Sequence, residues 1–258
     1  DEDAFSSYVS RMRNMIRPMR SNPQVIFTDT LTKIVTMNSP REIAVPTEAQ
    51  LDQANLDRII EIYKDRFSDA SDFTYVMVGN FSIDEVMPLL EKYIGGLPST
   101  GRKETWRDVT PGFPGGRVEV DVPRNSEPQG IVAMVWNGDF KWKDTERQGF
   151  GMLMDLMSIK LREAMREEQG GVYGISFEGS PSKFPRPEYT ITSSWGCHPD
   201  SISKLTGTVL SEIEKIMKYG PSEEDLAKVK ETLIRGRETA LKENSFWLSA
   251  LQSHYMYG

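Results

Sequence analysis

Apolar positions through the first hundred residues recur every three or four places, the period of helices with one buried face. Thr47 and Gln50 have the spacing of a capping box and predict a helix from there to about Phe67, while Ser82 with Glu85 predicts another covering 86–94. Between them, 73–79 changes character. It is short, apolar and rich in aromatic and β-branched residues, which predicts a buried strand. One strand cannot make a sheet, so this first unit is expected to have lost its strand partners or to borrow them.

Pro- and Gly-rich breaks at 95–99 and 111–116 separate this region from a second one. Beyond them, 117–123 alternates as a strand and 130–136 is a more continuously apolar one. A long helix over 144–168 follows, with Phe150, Leu153, Met154, Met157, Leu161, Ala164 and Met165 on its buried face. Strands are expected at 172–178 and 188–195. Ile202, Leu205, Val209, Ile213 and Ile216 then form one stripe of a helix, and Ser222 with Asp225 caps a final one. The order predicts an α+β fold, a mostly antiparallel sheet with helices on one face. The expected organisation is 1–108 as the tail of one α+β domain, 109–116 as a linker, and 117–258 as most of a second domain.

Charge narrows the partners. A formal charge of -7 with interspersed signs lacks the concentrated basic face that nucleic acid requires. No stretch reaches the roughly 18 to 20 apolar residues of a membrane span, so the chain is expected to be soluble, with the compartment open between periplasm and cytoplasm. The single cysteine, Cys197, leaves no intrachain disulfide. The chain starts without Met and ends just after an amphipathic run, so a fragment of a longer protein is expected.

Candidate chemistry is sparse. His198 and His254 are the only histidines and have no zinc-motif spacing, so no metal site is expected in this chain. Cys197 and His198 are adjacent, and neighbours on an extended chain point apart. No nucleophile elbow is present, and Gly170 and Gly171 read as a helix stop. Met12, Met15 and Met19 read as core filler, Arg11, Arg13, Arg17 and Arg20 as a solvated helix face, and Glu223 to Asp225 as a favourable first helical turn. Trp136, Trp195 and Trp247 read as buried aromatics rather than chamber walls. The exception is the segment from Leu161 to Gly174, which brings Arg166 on a last helical turn and Tyr173 at a strand entry to one end of a helix and sheet. Ordinary physics also puts a cation at a helix C-terminus and a tyrosine in a strand.

That segment resembles the pitrilysin/insulinase family of metallopeptidases, which includes the mitochondrial processing peptidase. The similarity extends from about Pro46 to Tyr219 through Ile60-Glu61-Ile62-Tyr63, Tyr75-Val76-Met77-Val78-Gly79-Asn80-Phe81 and Leu89 to Pro98. Its most specific part is an arginine followed seven positions later by a tyrosine, matched by Arg166 and Tyr173 with Gly170 between. The resemblance implies the mitochondrial processing peptidase-like fold and two halves closing around a peptide or small protein. It also implies a zinc site on an amino-terminal half, of the same enzyme or a partner subunit, which this sequence lacks. By that resemblance this chain binds no zinc, the parent does, and the fragment alone is inactive. Attack on the scissile carbonyl leaves negative charge on its oxygen, and neutral tyrosine is a donor at neutral pH. Tyr173 is therefore expected to stabilise the transition state and Arg166 to anchor substrate. A non-catalytic scaffold or peptide-binding subunit is the alternative.

Overall fold

The computed structural model describes residues 1–123, 128–167 and 174–258, the side chain of Glu167 excepted. Two compact units interleave along the chain. The first comprises Asp1–Asp29, Ile43–Arg107 and Arg237–Gly258, the second Thr30–Glu42 and Asp108–Gly236.

The first unit is helical. Helix α1 (Glu2–Met19) starts at Asp1, whose carboxylate accepts from the N–H groups of Asp3 and Ala4. Its arginines lie on a largely solvated face, as expected, and three of them also reach partners on the surface. Arg13 pairs with Asp52, Arg17 Nε donates to Glu48 at 3.0 Å, and Arg20 donates to the Pro46 carbonyl at 3.3 Å. The reason is their spacing, which points them down one side of α1 onto the short helix α3 (Glu48–Leu51), while helix α2 (Pro23–Val35) lies between the two in sequence. Met15 is 49 % exposed rather than core.

Thr47 and Gln50 form the expected capping box. The helix they open stops within a turn, because Asn55 adopts an extended backbone and caps a new helix, α4 (Leu56–Phe67), by accepting from Arg58 N at 2.8 Å. Helix α5 spans Ile83–Tyr93. The expected strand at 73–79 joins no ladder. The described residues of this unit include no strand to pair with it, and its aromatic rings pack back along α4 instead. Tyr63 stacks on Phe67 at 4.9 Å, and Phe67, Phe73 and Tyr75 continue edge to face. Neither α4 nor α5 buries a residue fully, and Tyr63 and Ile83 are 63 % and 68 % exposed.

The second unit holds the sheet, three antiparallel strands in the order β1-β3-β2: β1 (Gly130–Asp139), β2 (Ile175–Ser182) and β3 (Glu188–Cys197). β1 and β2 run past their predicted ends. Gly138 prolongs β1 because the Tyr189 ring of β3 lies where a Cβ would project, 2.9 Å from Cε1. β2 prolongs through Pro181, which an edge strand accommodates because its outer face needs no N–H. The expected strand at 117–123 joins no ladder. Val118 and Val120 are half exposed, and Arg117 donates to Glu119 at 2.6 Å, so the segment pairs its charges along itself.

Register decides which face is buried. Val132, Met134 and Trp136 of β1 lie opposite Trp195, Ser193 and Ile191 of β3, which in turn face Ile175, Phe177 and Gly179 of β2. These rows meet helix α6 (Asp144–Glu167), which crosses β2, and helix α7 (Ile202–Tyr219), which lies beside α6. Met154, Met157, Leu161, Met165, Leu205 and Val209 complete the core. Leu153, expected inside, is 38 % exposed, and Leu156 is buried in its stead. Alternate rows carry small polar side chains such as Ser176 and Ser194, whose hydroxyls are 2.8 Å apart, so helices cover one face only. Ser222 caps helix α8 (Glu223–Ala240) as expected, but α8 is not the last: helix α9 (Asn244–Tyr257) follows it.

Candidate functional site

The site begins with the end of α6. Leu161 is fully buried and Met165 is 4 % exposed, so two anchors one turn apart fix the rotation of the final turns against the sheet. That rotation leaves Arg166, on the last turn, exposed to solvent. The Arg166 side chain makes no hydrogen bond or ion pair with any described residue. Tyr173 and Gly170 lie outside the described residues, and β2 begins two residues after Tyr173, at Ile175.

Beside Arg166 lies a network of charges that the sequence reading missed. Lys160 Nζ is 3.4 Å from Glu163 Oε2 and 3.5 Å from Asp225 Oδ2. Asp225 belongs to the first turn of α8, where its N–H donates to Ser222 Oγ at 3.1 Å and its carboxylate accepts from the same hydroxyl at 2.7 Å. Ser222, ahead of burial and of Lys160, decides the Asp225 carboxyl, which titrates below its ordinary range. Burial would lower the Lys160 ammonium, but Asp225 and Glu163 together raise it. The Lys160 and Glu163 spacing was legible as a helical pair, and Ser222 with Asp225 was read as a cap. Their junction across 65 positions of chain exists only in the fold.

The remaining candidates separate cleanly. Cys197 is fully buried, which pushes its thiol up, while His198 is exposed and its Nδ1 accepts from Asp200 N at 3.3 Å. They point to opposite environments and form no metal corner. Among the described residues no three His, Cys, Asp or Glu side chains gather as a metal site. Trp195 is core and Trp136 packs at 6.2 Å from Phe177, whereas Trp247 is 48 % exposed and donates to the Leu241 carbonyl. A cleft of about 200 Å³ in the second unit is lined by Ser39, Glu42, Phe113 and Arg186 among others. Arg186 is engaged there, by Asp108 at 3.1 Å and Thr110 at 2.8 Å. No described helix is long and apolar enough to cross a membrane.

Comparison with known proteins gives this geometry a setting. The family described as Peptidase M16 inactive domain matches residues 53–233. The chain is 26 % identical to an Arabidopsis thaliana protein named zinc protease PQQL-like, over 98 % of this chain and 28 % of that protein. It is 24 % identical to a Haemophilus influenzae protein named probable zinc protease PqqL, over 78 % of this chain and 22 % of that one. The chain thus spans about a quarter of the length of these relatives. Among solved structures, the periplasmic protease PqqL from Escherichia coli superposes on all of this chain with a TM-score of 0.80 at 17 % identity, the match covering 28 % of that protein. The ferredoxin protease FusC, solved with Arabidopsis ferredoxin, also gives 0.80, at 14 % identity, with coverage of 100 % and 28 %. At such identities these likenesses show the fold.

Proposed function

Because this chain belongs to the M16 peptidase family, as its inactive domain, we propose that it is the zinc-free part of a longer zinc-dependent endopeptidase and supplies that enzyme with substrate-binding and transition-state-stabilising side chains. Within the parent, 1–108 would be the tail of one domain, 109–116 a linker and 117–258 most of the next. The exposed apolar faces of α4 and α5 and the unpaired segment 73–79 favour a first unit completed by further strands. Zinc is assigned to residues outside this chain, in an amino-terminal half or a partner subunit.

The observation that carries the reading is Arg166, fixed in position by buried Met165 yet unpaired among the described residues. An exposed, uncompensated guanidinium offers a planar fork of donors to the carbonyls of an extended peptide. Tyr173, seven positions on, would donate its phenolic proton to the oxygen on which negative charge develops. Peptides and small proteins are the substrate class.

The test is cleavage of a quenched fluorescent peptide by the full-length parent with zinc, beside this chain alone and the parent carrying Tyr173→Phe. The parent is expected to cut, this chain to be inert, and the substitution to lower kcat by about a hundredfold to a thousandfold. A parent that binds peptide without cutting makes this domain a scaffold, and full turnover without the phenol removes Tyr173 from the mechanism.

A further inference from the structure

Glu163 stands three positions before Arg166 on the same helix. Side chains at that spacing are neighbours on a helix surface, and a carboxylate and a guanidinium so placed attract each other. In this protein they are not paired. Glu163 Oε2 is instead 3.4 Å from Lys160 Nζ, one turn further back, and Lys160 is held at its other side by Asp225 at 3.5 Å. The holder is well fixed, because the side chain of Asp225 is only 13 % exposed and doubly tied to Ser222. Lys160 is itself 27 % exposed, less than Glu163 at 50 %. The three charges thus form a chain from the start of α8 to the last turns of α6, and it ends just short of Arg166.

We propose that Lys160 is a positioning residue for Arg166: by engaging Glu163 it keeps that carboxylate off the guanidinium, which stays free for the carbonyl or carboxylate oxygens of a bound peptide. This rests on the reading of Arg166 as substrate anchor and deepens it. The network sets how much of the time Arg166 is available, without itself touching substrate. Without Lys160, Glu163 would be left with two cations, Lys228, which is already paired with Glu224 at 2.8 Å, and Arg166 three positions on, and Arg166 is the one without a carboxylate of its own among the described residues. An exposed helical pair at this spacing is worth a few tenths of a kcal/mol, so its formation would withdraw Arg166 about half of the time.

Equilibrium binding separates these roles without depending on catalysis. The parent protein is kept metal-free with chelator, and a fluorescein-labelled unstructured peptide reports Kd by anisotropy. Lys160→Met, which keeps the buried stem, is expected to raise Kd about twofold. The double variant Lys160→Met with Glu163→Gln is expected to restore native affinity, because the competing carboxylate is gone. A merely structural role for Lys160 would leave the double variant as weak as the single one. Arg166→Ala calibrates the site, with an expected loss of about tenfold or more. If Arg166→Ala weakens binding but Lys160→Met does not, or if Glu163→Gln fails to rescue, the positioning role is overturned while the anchor stands. If Arg166→Ala leaves Kd unchanged, the anchor falls and the positioning role with it. Should Lys160→Met fold poorly, Lys160→Gln with the same rescue gives the same decision.

Discussion

Met154 of α6 lies directly over Gly179 of β2, its sulfur 2.9 Å from where a Cβ on that glycine would stand. The Thr190 carbonyl oxygen and Ile191 Cγ1 of the neighbouring strand come as near, at 2.8 and 2.9 Å. Two of these neighbours are side chains that could give a little; the third is backbone in the central strand and cannot move without opening the ladder. Gly179→Ala is therefore expected to destabilise the second unit by about 1–3 kcal/mol, the usual cost of overpacking. Urea unfolding checks it: a lower midpoint with an unchanged slope is expected, and a native midpoint would mean that α6 lifts off β2 without cost.

Leu161 tests the opposite defect. It is fully buried between Met157 and Met165 on the same helical face and under the sheet. Leu161→Ala should cost about 2–5 kcal/mol, depending on how far the surrounding methionines collapse into the space. Loss near the upper end, read again from urea midpoints, would show a rigid site. Loss near the lower end would show that Met157 and Met165 refill it.

These two positions also show what a sequence discloses. The stripe of α6 was legible because burial on one face of a helix leaves a three-and-four period, and α6, α7 and α8 were found from such stripes and caps. The strand ends were not, since Gly138, Gly179 and Pro181 look like breakers until the Tyr189 ring, Met154 and an edge position supply the reasons they are tolerated. Segments 73–79 and 117–123 had the composition of strands, but a ladder needs a partner, which composition does not carry. The partners of Arg13, Arg17 and Arg20 on their solvated face were hidden for the same reason, because Asp52, Glu48 and the Pro46 carbonyl are remote in sequence. Arg166 and Tyr173 were singled out by resemblance, and the structure places the first of them. Lys160 was invisible as a site residue because Asp225, 65 positions on, meets it only in the folded chain.

Asp69 supplies a prediction with a sign. Its carboxylate accepts from the hydroxyl and N–H of Ser71 and from the hydroxyl and N–H of Thr100, tying the end of α4 to the segment after α5. Hydrogen bonds from Ser71 first, then Thr100, hold the carboxyl far below the usual aspartate range. A folded-state pKa below the unfolded value near 3.9 means that the ionised form is favoured by folding. The contribution is then complete at neutral pH, and it is lost as the pH falls below about 4 and protons bind the unfolded chain first. Asp69→Asn should thus unfold at lower urea concentration than the native chain at pH 7, since an amide has one acceptor oxygen for donors that now share two. The gap between the two midpoints should narrow steadily as the pH is lowered from about 4 toward 2. A gap of constant size across that range would show that the asparagine acts through its shape alone, and that the charge on Asp69 does not hold the two segments together.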